Sequence, residues 1–137
     1  MQVTRAADYA MRGMLYLAQQ ESGKLSNIKE IADHENVPEK FMRKLIHILH
    51  KSGFIESKRG KYGGVKLLIE PQFITILDIY EAIEGPTAIN ICLKGPGLCK
   101  IQDTCPMCDV WKQAQDNLLR VLKQYTLKEI SDNKISA

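Results

Sequence analysis

"VPEKFMRKLIHILHKSGFIESKRGKYGGVKL" occupies Val37–Leu67, and its reading decides the fold. A helix-period stretch runs into two short β-forming stretches set around three glycines. Pro38 suits a first helical position, where its missing N–H costs nothing. Phe41, Leu45, Ile48 and Leu49 then share one helical face. Ser52-Gly53 stops the helix. Strands are expected at about Phe54–Lys58 and Val65–Ile69. Gly60, Gly63 and Gly64 crowd too closely for a strand interior, where each would weaken pairing, so they read as the tip of a hairpin.

Upstream, Val3, Ala7, Ala10, Met14 and Leu17 step along one helical stripe, with Thr4 as its cap and Gly23 as its end. Ser26 is expected to open a short helix, "SNIKEIADHEN", with Ile28, Ile31 and Ala32 inward. Asn36-Val37 makes the turn into the Pro38 helix. Helix, turn, helix, then a β-hairpin is the order of a winged helix-turn-helix. The second helix of the pair would enter a major groove and the hairpin would be the wing.

The charge distribution supports that reading. Among the 137 residues the net charge is only +3. Residues 39–66 hold eight Lys/Arg (Lys40, Arg43, Lys44, Lys51, Lys58, Arg59, Lys61, Lys66) against Glu39 and Glu56, a net of +6. The rest of the chain carries 11 basic and 14 acidic residues, a net of −3. A basic segment on a mildly acidic body is an electrostatic footprint for a polyanion. Lys40, Arg43, Lys44 and His47 lie opposite Phe41 and Leu45, so they can meet DNA while the helix stays packed. His47 and His50 read as phosphate or solvent contacts, and His34 as a surface residue.

Downstream, "TILDIYEAIEG" is a helix capped by Thr75 and ended by Gly85. A loop spans about Ile91–Cys105. The helix "PMCDVWKQAQDNLLRVLKQY" then carries Trp111, Ala114, Leu118, Val121 and Tyr125 along one stripe, with Leu119 and Leu122 on a second face. So wide an apolar surface on a terminal helix predicts a second subunit. "TLKE" at Thr126–Glu129 is a capping-box pattern, and "SDNKISA" is expected to fray. The fold class is therefore mainly α with a small β-hairpin wing. A winged helix-turn-helix domain occupies 1–85, a cysteine-rich loop 86–108, and a dimerisation helix with its tail 109–137.

The four cysteines are Cys92, Cys99, Cys105 and Cys108, in the pattern C-x6-C-x5-C-x2-C. "MQVTRAADYA" shows no signal-peptide pattern, and no apolar run reaches the ~20 residues that span a bilayer. A cytoplasmic protein is expected, where clustered thiols point to metal or redox chemistry rather than disulfides. Four thiolates can hold zinc or an iron–sulfur cluster. A wide Gly-containing loop wraps more naturally around the larger group. Cys105 and Cys108 fall at a helix start, where the dipole favours thiolates.

Wing and cysteines together resemble the IscR/NsrR type of iron–sulfur winged-helix regulators (the Rrf-two superfamily). The likeness runs through "TRAADYAMRGMLYLA", "IKEIA", the Val37–Leu67 stretch, "ILDIYEAIEG", the cysteine loop, "CDVWKQ" and "TLKEI". The resemblance implies a homodimer that represses or activates transcription from palindromic operator DNA. It implies Cys92, Cys99 and Cys105 as ligands of a [2Fe–2S] or [4Fe–4S] cluster. The fourth ligand varies in the family. Cys108 takes the place of a His in IscR-like members, and Asp8 matches an Asp that NsrR-like members take from the first helix of the other subunit. Thiolate binds cluster iron better than carboxylate, which favours Cys108. By position, Pro38, Lys40, Phe41, Arg43, Lys44 and Arg59 would contact DNA, with Lys58, Gly60 and Lys61 completing the wing. Arg43 departs from IscR, which has an acid there, so the operator sequence does not carry over.

The leading function is thus a transcription factor sensing cluster status, redox state or nitric oxide. One alternative is a winged-helix repressor without a cluster, governed by thiols or a partner protein. Another is an iron–sulfur carrier or electron-transfer protein. An enzyme fits least: no nucleophile has a plausible base, and no phosphate loop is present.

Overall fold

The computed structural model describes residues 2–133; of the tail expected to fray, Ser131 instead ends a helix and Asp132 and Asn133 donate back to it, while Lys134–Ala137 lie outside the described residues. Three helices, α1 (Arg5–Ala18), α2 (Ile28–Glu35) and α3 (Glu39–Lys51), meet around Met14, Ile31, Met42, Leu45 and Leu49, all fully buried. Thr4 caps α1 as expected, its hydroxyl accepting from the Ala7 N–H at 3.1 Å. Gly13 lets α1 approach α3: a Cβ there would lie 3.1 Å from the Met42 sulfur.

Three local expectations shift. Asn27, not Ser26, caps α2, with its Oδ1 accepting from the Glu30 N–H at 2.7 Å. Ser26 is fully buried and exchanges two backbone hydrogen bonds with Val65, at 2.9 and 2.8 Å. It is a one-residue third strand beside the wing, and that long-range pairing takes it out of the helix. On α3 the buried set is Met42, Leu45, Ile46 and Leu49, while Phe41 and Ile48 are only half-buried. The physical reason is that α3 packs on α1, α2, α4 and the first wing strand together, so its inward sector is wider than one stripe. Pro38 precedes the helix as its N-cap rather than opening it.

The wing is an antiparallel pair, β1 (Ile55–Lys58) and β2 (Gly64–Leu67), with Ile55 opposite Leu67 and Lys58 opposite Gly64. A 3-10 turn, Pro71–Phe73, leads to α4 (Ile76–Glu84). Thr75 and Asp78 cap α4 reciprocally, at 3.1 and 2.9 Å, and Gly85 ends it. A second 3-10 turn, Ile91–Leu93, precedes the cysteine loop. Then comes α5 (Pro106–Gln124), of whose 19 residues none is buried. The short α6 (Leu127–Ser131) returns to pack on α1 and on the Pro71–Phe73 turn. Thr126 caps it, accepting from the Glu129 N–H at 3.2 Å. Thr75 and Thr126 form an isolated antiparallel bridge. Among the described residues no helix is long and apolar enough to cross a membrane.

Candidate nucleic-acid interface and cysteine loop

The outer face of α3 presents Lys40, Arg43, Lys44, His47 and His50, all exposed, with Pro38 exposed at its start. Lys58, Arg59, Gly60 and Lys61 are exposed on the wing. The two surfaces meet in a cleft lined by Asn27, Lys29, Arg43, Lys58, Gly60 and Lys61. An adjoining hollow is lined by Arg43, His47, His50, Ser57 and Arg59. Arg43 therefore sits at the junction of helix and wing. Its guanidinium pairs with Glu39 at 2.8 Å, an exposed i,i+4 contact worth only about 0.3–0.5 kcal/mol. A phosphate can replace that partner at little cost. Asn27 and Lys29 were missed by sequence reading. Their signal, the return of the α2 start to the wing, lies in the Ser26–Val65 pairing and not in local periodicity.

Two wing glycines serve the wing itself. A Cβ on Gly63 would fall 2.1 Å from the Lys58 carbonyl oxygen, and one on Gly64 would fall 2.6 Å from that of Ser26. Both contacts are with backbone, which cannot swing aside. The wing is thereby clamped between its own turn and the third strand.

The cysteine loop joins α4 to α5. Cys92 is buried in the second 3-10 turn; Cys99, Cys105 and Cys108 are half-buried, and all four are free thiols. Cys105 is the N-cap of α5 and Cys108 lies in its first turn. The Cys92 and Cys108 thiols lie near each other. The nearby Cys92 thiol, then burial, then the neighbouring Asp109 and Cys105 push the Cys108 thiol above its ordinary pKa. Gln102 braces the loop, donating to the Cys92 carbonyl at 2.9 Å and accepting from the Gly97 N–H at 3.2 Å. Gln115 on α5 accepts from the Ile89 N–H at 3.0 Å. A lone Gln in a polar loop carries no pattern, so neither brace was legible beforehand.

Among the described residues no group of three or more His, Cys, Asp or Glu is gathered to hold a metal ion. Cys92 and Cys105 are the thiols that act on Cys108. Asp8 lies on α1, half-exposed and paired with Arg12 at 2.9 Å. His34 is at the surface as expected, its ring centroid 4.8 Å from that of Tyr16.

The outer side of α5 is apolar and uncovered. Met107, Val110, Trp111 and Val121 are 38–49% exposed, and Ala114 between them is exposed too. Leu118, Leu119, Leu122 and Tyr125 are half-buried, and α5 packs on α4.

A basic helix beside a basic, glycine-clamped hairpin, on a three-helix core, defines a winged-helix DNA-binding protein. The family described as "Rrf2: Iron-dependent Transcriptional regulator" matches residues 3–133, and the chain belongs to it. It is a transcription regulator and not an enzyme. The chain is 33% identical over 135 residues to the HTH-type transcriptional regulator NsrR of Bacillus subtilis, covering 98% of this chain and 92% of that one. It is 34% identical to NsrR of Shouchella clausii, covering 98% and 91%. Among solved structures, CymR, the global cysteine regulator of B. subtilis, superposes with a TM-score of 0.83 at 27% identity, covering 97% and 98%. IscR of T. potens superposes with a TM-score of 0.77 at 25% identity, covering 100% and 93%.

Proposed function

We propose that the chain works in the cytoplasm as a homodimer on palindromic operator DNA. Its input is the state of Cys92, Cys99, Cys105 and Cys108. The observation that carries this reading is that the cysteine loop ends as the first turn of α5, the helix whose outer face is bare and apolar. A change at the thiols therefore acts at the root of the surface proposed to pair two subunits. Pro38, Lys40, Arg43, Lys44, Lys58, Arg59, Gly60 and Lys61 are the residues proposed to meet DNA. Residues 1–85 form the DNA-binding unit, 86–108 the sensing loop and 109–137 the pairing helix and tail.

The donor chemistry fits an iron–sulfur cluster: four free thiols lie on one short loop, and soft thiolates are the ligands such clusters take. Cys92, Cys99 and Cys105 would hold it with Cys108, or with Asp8 of the partner subunit as the alternative fourth ligand. When bound, the cluster supplies a centre that oxidants, nitric oxide or iron shortage can alter. The protein's own part is to hold the thiols at the start of α5 through Gln102 and Gln115.

A second reading is favoured by the Cys92–Cys108 contact: a cluster-free thiol regulator. A peroxide would take two electrons and two protons from that pair, leaving a disulfide and two waters. Anaerobic purification separates the two. A brown protein with iron and sulfide counted per chain supports the cluster. A colourless protein whose Cys92 and Cys108 become linked under peroxide supports the thiol switch.

A further inference from the structure

Tyr62 is the most exposed large side chain of the chain's described hydrophobic residues, at 86%. It is the third residue of the turn Gly60–Gly63, which is closed by the Gly63 N–H donating to the Gly60 carbonyl at 3.0 Å. Gly60 turns with φ +103, and Gly63 sits too close to the Lys58 carbonyl to be any other residue. The turn thus needs glycine on both sides of Lys61-Tyr62, and its apex is an aromatic ring. Such a ring in water gains nothing from its own fold. Lys61 Nζ lies 5.7 Å from the ring centroid, and Lys58 and Arg59 flank the turn. The cleft between wing and helices is lined by Gly60, Lys61 and Gly63 but not by Tyr62. The ring is therefore not used to fill the space between wing and α2.

We propose that Tyr62 is an uncharged anchor of the wing on DNA. Its ring lies against a deoxyribose at the mouth of the groove the wing approaches, and its hydroxyl donates to a backbone phosphate. The ammonium of Lys61 beside the ring adds a second donor to the same phosphate run. Three observations converge on this role: an apolar ring with a polar tip, a hydrogen-bonded turn that holds it at the apex, and the cations Lys58, Arg59 and Lys61 beside it. Tyrosine suits it because one end of the side chain packs on sugar while the other bonds to oxygen. Fixing the tip in this way holds Arg59 in register. The role rests on the DNA-binding reading and adds a contact that the charged residues do not supply.

The test measures binding of the full-length protein to two duplexes over a range of salt. One duplex is selected in vitro by the wild-type protein and the other is unrelated. Tyr62→Ala is expected to weaken both by about tenfold, the loss of one hydrogen bond to a charged group with its packing. The salt slope is expected to stay as in the wild type, because no charge is removed. Lys61→Ala should instead lower that slope by roughly one charge. Tyr62→Phe should recover part of the loss by keeping the ring. The side chain touches no core residue, so the variants fold. If Arg59→Ala weakens binding while Tyr62→Ala stays within twofold of wild type, the anchor is overturned and the interface survives. If the wild type binds no duplex, the interface and the anchor fall together.

Discussion

Arg59 stands exposed at the edge of the hollow shared by α3 and the wing. A guanidinium there can enter a minor groove or bond a base edge, whereas Lys58 and Lys61 act on phosphates. Arg59→Ala is expected to cost ~1–3 kcal/mol on the preferred duplex, and Lys58→Ala to weaken all duplexes alike with a shallower salt dependence. Mobility-shift titrations at several salt concentrations read both. At the sensing loop, Cys108→Ala should bleach the visible spectrum if Cys108 is the fourth ligand, while Asp8→Ala leaves it intact. An unchanged spectrum in Cys108→Ala would transfer the role to Asp8 of the partner subunit. A third residue pair reports on acid stability. The Tyr16 hydroxyl donates to Glu30 at 2.7 Å and lowers the Glu30 pKa. A carboxylate with a depressed folded pKa contributes stability above its unfolded value and loses it as pH falls through the folded one. Tyr16→Phe is therefore expected to lower stability slightly near neutrality and to make it less dependent on pH on the acid side. Glu30 is partly exposed, so the effect is small; denaturant titrations between neutral pH and pH 3 check it.

Individual elements differ in how plainly the chain announces them. The α3–wing unit was legible because period, turn glycines and charge all agree over one contiguous stretch. The α4 cap was legible for the same reason, Thr75 and Asp78 being three residues apart. The single-residue strand at Ser26 was not, since its partner Val65 lies far along the chain and one residue has no period. The inward set of α3 was only half legible: Met42 and Ile46 are buried by tertiary neighbours that a single stripe does not foresee. In the cysteine loop the donor types were plain, but which thiols touch depends on how the Gln102 brace folds the loop. On α5, the uncovered row from Met107 to Val121 is where the proposed pairing is tested. Leu118→Glu places a charge between those faces. Light scattering should then report a monomer or an aggregate, and an undisturbed dimer would mean that α5 pairs through some other face.

At the scale of the whole molecule, the chain's last described helix is part of its first core. Leu127 on α6 is 1% exposed and joins the cluster built from α1, α2 and α3. Leu127→Ala is expected to cost about 2–4 kcal/mol, seen as a lower denaturation midpoint with the slope unchanged. That return also fixes α5 at its far end. The Ile76 N–H donates to the Tyr125 carbonyl at 3.1 Å, and the Leu127 N–H donates to that of Ile74 at 2.8 Å. These two bonds make a pivot. From it α5 extends about 28 Å, at 1.5 Å per residue, to the turn that carries Cys105 and Cys108. Over that length a 2 Å movement of the thiols, worked against the packing of α5 on α4, tilts the helix by about 4°. Two such helices lying against each other would carry the winged units at their bases through the same angle, so a movement smaller than one bond to iron would be enough to alter the spacing of two recognition helices.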